Sequence, residues 1–454
     1  MSTIATPYPQ TSADGIDRVG VASASAVMLP IICALFLLSF TFSFDADGSP
    51  LAGLDPYVSF AKLLTRCGVL ALLTGQCLIL LLRPTGLQRL SLFIPLIGFV
   101  LFALLSTAWS PLKQTTLFQA ISTASLVALS ASFALSCRNL KDASSVLASV
   151  SFLLCGLLAA FIVLRFAVPS FAVATRAGTG LFHATNTAAT AAIAILLVLS
   201  CRMNFGWGWS RWLLPPVTVL GIAVLILSVN RLSLGLTAAI GIILICAKLD
   251  RILLSFVVLA TVVAGAVLLA VDPGFELLRA VGGDLFQFAS RDQGINELSE
   301  FSGREEMWEV VWASYLQSPI IGHGYFVTSA DGVLEVWYQE GNFTAHNLLL
   351  QALASVGLIG TGLFVAGVLL PMSVAGWKLC ETPSGRTLLM ALLPFGAWYL
   401  GWGLLNESVL GPLQPESVVF FALLGIAVGL AFQRVPYSHN VQRPAARIQI
   451  GGQL

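Results

Sequence analysis

The chain of 454 residues contains little charge: only 10% of its residues are charged, whereas 57% are hydrophobic. Soluble domains contain about 25% charged and roughly 45–50% apolar residues, so this chain has too few polar residues to cover a surface in water. Its net charge of +1 favours neither nucleic acid nor an acidic partner. The composition therefore predicts an all-α integral membrane protein, because helices satisfy their own backbone hydrogen bonds in lipid.

The sequence also lacks the usual patterns of disulfide, zinc and nucleotide sites. Its eight cysteines are scattered and none forms a CxxC pair, so neither a disulfide framework nor a zinc site is expected. It contains no HExxH, GxSxG or P-loop motif, which argues against the common metalloprotease, serine hydrolase and nucleotide-binding classes. Because the residues before Ser25 are polar, we expect no removable signal peptide, and the first span itself directs insertion.

Twelve hydrophobic runs are long enough for membrane spans, which need about 20 mostly apolar residues. They fall near residues 26–44, 63–82, 90–108, 117–137, 146–167, 184–200, 213–229, 232–247, 252–271, 350–376, 387–405 and 417–432. An even number of spans places both termini on the same side. With the termini inside, every short inner loop carries a basic pair such as Lys248 and Arg251, as is typical of cytoplasmic loops.

This orientation divides the chain into a cytoplasmic tail (1–25), nine transmembrane helices (26–271), a long outer loop (272–345), three more transmembrane helices (346–432) and a second cytoplasmic tail (433–454). The predicted fold thus has about 12 transmembrane helices and one long non-cytoplasmic loop that contains short helices. The loop holds twelve acidic and three basic residues. It therefore repels anions on average, and an anion site there requires particular arginines at particular places.

Arg304 is the best placed of the loop arginines. Ser302 and Glu305 form a capping box, which predicts that a helix begins there and runs to about Leu316. The free N–H groups of a helix start, together with a guanidinium, make a phosphate site. The alternative is that Arg304 pairs with a nearby acid such as Glu306.

For other residues of the loop, the sequence pattern favours structural roles. Trp308, Trp312 and Tyr315 recur at helical spacing, and we expect this stripe to pack on the membrane interface or the helix bundle rather than to bind sugar. His323 lies between two glycines, and this context predicts a turn residue.

Arg231 differs from the loop arginines because it lies between two apolar spans that are joined by almost no loop. A charge at or just below the membrane surface tends to face a cavity or a charged ligand. The alternative is that the side chain extends along the apolar surface to the interface.

His346 follows a short polar stretch and is expected to open the tenth span, with Thr344 as the N-cap. The dipole at a helix start disfavours imidazolium, so we expect a neutral histidine that can accept a proton, as a general base must. The alternative is a structural, hydrogen-bonded histidine. His183 opens the sixth span in a similar way, and Arg176 lies nearby in the sequence.

Three stretches, in this order and on one predicted face, resemble the bacterial O-antigen ligase/polymerase family. Residues 227–231 (LSVNR) resemble the family's SR element at the end of a span, although Asn230 stands where the family usually has serine. Residues 302–308 (SGREEMW) with 318–325 (SPIIGHGY) resemble its loop signature. Residues 345–347 (AHN), continuing through Gln351 to the GLIG at 357–360, resemble its histidine signature.

Weaker matches are Trp109 with Ser110, and residues 180–186. The specific part of the resemblance covers roughly residues 230–365, and elsewhere only the hydropathy agrees.

The resemblance implies transfer of a glycan from undecaprenyl diphosphate to an acceptor hydroxyl at the periplasmic face of the bacterial inner membrane, without a metal or nucleotide cofactor. By motif position, Arg231 and Arg304 correspond to arginines that hold the diphosphate, and His346 corresponds to the histidine beside the reaction centre. Further candidates for binding the diphosphate or glycan are Arg176, His183, Asn347 and Glu407. Direct attack would invert the anomeric centre. The implied partners are the lipid-linked donor, a glycan or lipid A-core acceptor and the bilayer.

Four functions remain open from the sequence. The first is a ligase, and the second is an O-antigen or exopolysaccharide polymerase of the same family. The third is a transporter or flippase, which would place ionisable residues at mid-membrane, whereas the notable residues here cluster at one surface. The fourth is a metal-dependent glycosyltransferase that uses Asp45 and Asp47, although this pair, followed by glycine, is equally typical of a turn.

Overall fold

The computed structural model describes residues 24–39, 55–82, 86–167, 184–228, 230–247, 304–336, 339–406 and 413–433. Within these ranges the protein is helical apart from one short antiparallel hairpin. The helices are α1 (Ala24–Ser39), α2 (Asp55–Leu81), α3 (Gly86–Ser91), α4 (Ile94–Leu105), α5 (Lys113–Ser136), α6 (Leu140–Ala167), α7 (Ala184–Phe205), α8 (Gly208–Leu227), α9 (Arg231–Cys246), α10 (Arg304–Gln317), α11 (Leu348–Cys380), α12 (Pro383–Gly403) and α13 (Pro415–Ala431). The hairpin pairs β1 (Leu334–Val336) with β2 (Gln339–Gly341).

Six of the described helices are long and apolar enough to cross a membrane: α2, α5, α6, α7, α8 and α11. Shorter apolar helices cover Pro30–Ser39, Ile94–Ala108, Leu232–Cys246 and Pro415–Ala431. These helices confirm the predicted helical, multi-pass class. The predicted ninth span, 252–271, lies outside the described residues.

The centre of the bundle is formed by α13, which is almost wholly buried, and by the two longer central helices α5 and α7. Of their most apolar stretches, 72% and 78% of the residues are buried inside the protein, compared with 17% for α2. Both central helices are rich in alanine, serine and threonine, and such small side chains let helices approach closely in lipid. Several of their hydroxyls bond a carbonyl one turn back, as Thr190 Oγ1 does to Asn186 O at 2.7 Å, and others join neighbouring elements, as Ser200 Oγ does by donating to Ala391 O of α12 at 2.8 Å.

Arg89 of α3 joins the C-terminal ends of two helices. Its Nη1 donates to Ala134 O of α5 at 2.9 Å, and its Nη2 donates to Phe432 O, just after α13, at 3.2 Å. A cation at a helix C-terminus is stabilised by the helix dipole and by the unpaired carbonyls. Burial, together with the nearby charge of Arg138, lowers the pKa of this guanidinium.

Helix α11 is broken at Gly357, whose φ of 62° lies in the left-handed region that favours glycine. The break exposes backbone groups, and residues 318–325, here called the docking segment, pair with them. Four hydrogen bonds join the docking segment to α11: Leu358 N–H to Pro319 O (2.9 Å), Ile359 N–H to Ile320 O (3.2 Å), His323 N–H to Ala354 O (3.1 Å) and Gly324 N–H to Ser355 O (2.9 Å). The docking segment is thereby fixed to α11.

Candidate functional site

Helix α10 begins at Arg304 and ends at Gln317, just before Pro319. This agrees with the predicted helix, in which Arg304 occupies the first turn; Ser302 lies outside the described residues. Arg304 is half-buried, whereas the acids beside it, Glu305 and Glu306, are exposed. The helix start therefore brings backbone N–H groups and a partly buried guanidinium together, which is the arrangement that suits an anion.

The three aromatic residues of the predicted stripe on α10 have different environments. Tyr315 is buried in a small apolar cluster with Met307, Leu334 of the hairpin and Ala354 of α11. Trp312 is 48% exposed. Trp308 is half-buried and donates from Nε1 to Ala345 O at 2.9 Å. Trp308 thus links α10 to the residue that immediately precedes His346.

Two expectations at the start of α11 were wrong. The N-cap is Asn347, whose Oδ1 accepts from Leu350 N–H at 3.0 Å, and not Thr344. His346 precedes the helix and does not open it, because its φ of +46° is left-handed and cannot belong to an α-helix. Asn347 has the extended backbone of an N-cap residue. His346 therefore lies one residue before the N-cap of α11, and it is half-buried.

Both backbone groups of Ala345 are held by side chains. Its carbonyl accepts from Trp308, and its N–H donates to Gln351 Oε1 at 2.8 Å. Gln351 is fully buried and donates from Nε2 to Ser355 Oγ at 2.9 Å. Gln351 belongs to the histidine motif, but no role for it was predicted from the sequence. The signal was present, because a glutamine inside an apolar helix needs hydrogen-bond partners.

Several helix ends meet at the end of the bundle that carries His346. Asn347 Nδ2 donates to Leu404 O, just after α12, at 3.1 Å. Near the same end of α12, a Cβ on Gly401 would lie 3.3 Å from Leu236 of α9. Arg231 begins α9 about a turn and a half before Leu236. The start of α9 is therefore at the same end as His346 and α10.

Asn230 caps α9 through Oδ1, which accepts from Ser233 N–H at 3.0 Å. Asparagine and serine are both good N-caps, so the departure from the family's usual serine leaves the helix start intact. The side chain of Arg231 and the whole of Arg176, His183 and Glu407 lie outside the described residues.

A buried acid, Glu416, lies in the first turn of α13 and was missed in the sequence analysis. It is fully buried, and its Oε1 accepts from Trp402 Nε1 of α12 at 3.1 Å. A negative charge is favourable at a helix N-terminus. Its signal was a carboxylate at the edge of an otherwise apolar run. Because Trp402 precedes Leu404 by two residues, Glu416 belongs to the same end of the bundle as Asn347.

The docking segment is anchored to α4 and α5 through Tyr325. The side chain of Tyr325 is fully buried, and its hydroxyl lies 2.6 Å from Thr123 Oγ1. The backbone N–H of Tyr325 donates to Ser106 Oγ at 2.9 Å. Burial raises the pKa of the phenol. Ser110, from the weaker family match, bonds Thr116, which in turn donates to Tyr325 O at 2.9 Å. This part of the motif therefore contributes to the structure.

His323 occupies the turn that the sequence predicted, and its ring is buried and hydrogen-bonded through Nε2. Its Nε2 lies 2.8 Å from Ser314 O and 3.1 Å from Ser314 Oγ. A carbonyl oxygen only accepts, so Nε2 carries the proton. Ser314 Oγ donates to Thr328 O at 2.7 Å. His323 therefore ties α10 to the loop.

In the described parts of the chain, no group of three histidine, cysteine, aspartate or glutamate residues could hold a metal ion. Asp45 and Asp47 lie outside those parts.

Comparison with known families gives a match over residues 216–365 to the family described as O-antigen ligase. The match begins within α8, ends within α11 and includes Arg231, Arg304 and His346. It confirms the family resemblance predicted from the three motifs. None of the curated proteins compared with this chain matches it.

Proposed function

We propose that this chain, which carries an O-antigen ligase domain over residues 216–365, transfers a glycan from undecaprenyl diphosphate to an acceptor hydroxyl at the periplasmic face of the bacterial inner membrane. The observation that supports it is the convergence of three features at one end of the bundle: the start of α9 at Arg231, the start of α10 at Arg304, and His346 before α11. Two arginines can stabilise the departing diphosphate, and one histidine can accept the proton of the acceptor hydroxyl.

The arginines bind the leaving group in this proposal. When the sugar–oxygen bond breaks, negative charge grows on the diphosphate, and guanidinium groups at fixed positions stabilise it more in the transition state than in the ground state. Planar guanidinium forks suit phosphate oxygens better than ammonium does. The helix starts at Arg231 and Arg304 add backbone N–H groups to the same anion.

His346 acts as the general base. The acceptor oxygen forms a bond to the anomeric carbon, the bond from that carbon to the diphosphate oxygen breaks with its electrons, and the hydroxyl proton passes to the imidazole. A single displacement of this kind inverts the anomeric centre. Determining the linkage by NMR tests it, and a retained configuration would rule out the single step.

The decisive experiment is a transfer assay with purified protein in lipid nanodiscs and a lipid-diphosphate glycan donor. Arg231→Ala, Arg304→Ala and His346→Ala are each expected to lower turnover by roughly 10²–10⁴-fold. The matched control is Arg386→Ala at the start of α12, whose guanidinium bonds Cys380 O at the opposite end of the bundle. Full activity in all three variants would contradict the site assignment.

The proposed chemistry needs no metal, so transfer should persist in EDTA. Loss of transfer in EDTA that returns on addition of Mg²⁺ or Mn²⁺ would support the alternative in which Asp45 and Asp47 hold a cation.

Ligase and polymerase are versions of the same reaction with different acceptors, and the domain match covers both. Single repeat units should accumulate on the lipid carrier in a deletion strain if the protein is a polymerase, whereas finished lipid-linked chains should accumulate if it is a ligase. A transporter would move the lipid-linked glycan across a vesicle membrane without forming a glycosidic bond.

The proposal includes the predicted topology of about twelve spans, with both termini inside and residues 272–345 in the periplasm. Labelling of single cysteines introduced at Trp312, which is exposed on α10, and at Glu381, between α11 and α12, tests this. A membrane-impermeant maleimide should react in spheroplasts with the first position only.

A further inference from the structure

We propose that Trp308 and Gln351 are positioning residues that fix the left-handed backbone of His346 and thereby aim its imidazole at the acceptor hydroxyl. This inference rests on the proposed function, because the base is aimed at a reaction that the proposed function supplies. Neither residue needs to touch the substrate.

The backbone of His346 requires such support. A non-glycine residue with a φ of +46° is disfavoured, because its Cβ crowds the backbone. Conformations of this kind persist only where the surrounding structure over-determines them, and they cluster at functional sites. The direction of the imidazole depends on this backbone conformation, since the Cα–Cβ bond points in a different direction when φ is positive than when φ is negative.

Trp308 acts directly on that torsion. The φ of His346 is the rotation about its N–Cα bond, and it sets the orientation of the peptide plane that contains Ala345 O. Trp308 Nε1 donates to this oxygen at 2.9 Å. Rotation of His346 to a negative φ would turn the carbonyl away from the indole and leave a buried acceptor without its donor, because Ala345 is fully buried.

Gln351 fixes the preceding peptide plane. Its Oε1 accepts from Ala345 N–H at 2.8 Å, and its Nε2 donates to Ser355 Oγ at 2.9 Å. Ser355 O in turn accepts from Gly324 N–H of the docking segment. A continuous set of hydrogen bonds therefore runs from the docking segment to the residue before His346.

The same indole also sets the relation between the two candidate catalytic groups of the loop. Trp308 follows Arg304 by four residues in α10, so the two side chains lie on one face, one turn apart. Because Trp308 contacts Ala345, the position of Arg304 relative to His346 depends on this hydrogen bond. The arrangement couples the arginine that would bind diphosphate to the histidine that would accept the proton.

The test compares Trp308→Phe, which keeps an aromatic ring but removes the N–H, with Gln351→Met, which keeps the length but removes both hydrogen bonds. Each should lower kcat in the transfer assay by roughly 10–100-fold, since a shift of about 1 Å of a reacting group has effects of this size. The KM for the lipid-linked donor should stay near the wild-type value, because the arginines still bind the diphosphate.

Two matched controls accompany these variants. Trp312→Phe makes the same ring change one turn further along α10, at a side chain that is 48% exposed. Thr361→Val removes a hydroxyl of α11 that has no hydrogen-bond partner among the described residues. Both controls should keep wild-type kcat.

Hydrogen exchange at the amide of Ala345 gives a readout that does not depend on activity. Exchange should accelerate in Gln351→Met and in Trp308→Phe and stay slow in both controls. Unchanged exchange, or accelerated exchange with unchanged kcat in either variant, would overturn the positioning role. Failure of the wild-type protein to form any glycosidic bond, with exchange behaving as expected, would instead overturn the proposed function.

Discussion

One histidine precedes the β1–β2 hairpin (His323) and another follows it (His346), and the two are fixed by different kinds of hydrogen bond. His323 is held by its own ring, which is buried and donates to Ser314 O, and by its backbone N–H, which bonds α11. His346 is half-buried, and the backbone of its neighbour Ala345 is held by Trp308 and Gln351. A buried ring that donates a hydrogen bond stabilises the fold, whereas hydrogen bonds to the backbone beside His346 define the direction in which its side chain leaves the backbone.

The largest expected effect is a loss of transfer activity on substitution of His346. His346→Gly removes the proposed base and should lower transfer by roughly 10²–10⁴-fold. It also relieves the left-handed backbone, so the free energy of unfolding should rise by about 1 kcal/mol. Turnover and thermal unfolding of the same preparation measure both. A variant that is both inactive and less stable would show that the imidazole itself stabilises the loop, as His323 does.

The next effect concerns the docking segment that holds His323. Gly322 has a φ of +69°, and a Cβ there would lie 2.4 Å from the backbone of Ser355. Gly322→Ala should lower the free energy of unfolding by on the order of 3 kcal/mol, since it combines backbone strain with a clash against the broken helix.

The control for Gly322→Ala is Gly362→Ala in α11, where a Cβ would meet nothing within 4 Å. This substitution should stabilise the helix by roughly 0.5–1 kcal/mol. Equal losses in the two variants would show that the docking segment can move away from α11.

A smaller effect is expected at His323 itself. His323→Phe fills a similar volume but leaves Ser314 O, a buried acceptor, without its donor, which should lower the free energy of unfolding by about 1–3 kcal/mol. Turnover of the folded protein should change little, because His323 lies in the turn that secures the loop. A loss of turnover as large as that of His346→Gly would mean that the two histidines act in the same reaction.

Local signals in the sequence were sufficient for helix ends. The capping box predicted a helix with Arg304 in its first turn that runs to about Leu316, and α10 covers Arg304–Gln317, because such signals depend on residues a few positions apart. The hydrophobic run 232–247 lies within one residue of α9 at both ends. The prediction for α11 failed by three residues because Thr344, Asn347 and the left-handed His346 compete for the cap, and tertiary contacts decide between them.

The contacts that organise the candidate site were beyond sequence reasoning for a physical reason. Trp308 bonds a carbonyl 37 residues away, and Tyr325 bonds Ser106 across 219 residues. No periodicity or cap encodes such pairs. Gly357 was known from the sequence only as part of the GLIG stretch, whereas its positive φ breaks α11 and admits the docking segment. A family motif showed which residues matter, but it did not separate structural residues from those proposed to be chemical.

The smallest effect lies between the two histidines, at Asp331 next to the hairpin. Its Oδ1 accepts from Val333 N–H and from Ser329 Oγ, each at 3.1 Å, and these bonds lower the pKa of the carboxyl. A lowered pKa in the folded state means that the ionised group stabilises the fold above the unfolded value of about 3.9. That contribution is lost as the pH falls through the lower, folded value.

Asp331→Asn keeps an oxygen acceptor and removes the charge, so the wild type should be slightly more stable than the variant at neutral pH. The difference in free energy of unfolding should shrink as the pH falls, and unfolding measured at a series of acidic pH values tests this. Transfer should be unchanged, because the hydrogen bonds of this exposed carboxylate go to Ser329 and Val333 and not to the backbone next to His346. A difference that grows on acidification would mean that the carboxyl is stabilised in its protonated form, and a loss of transfer would extend the proposed site to the hairpin.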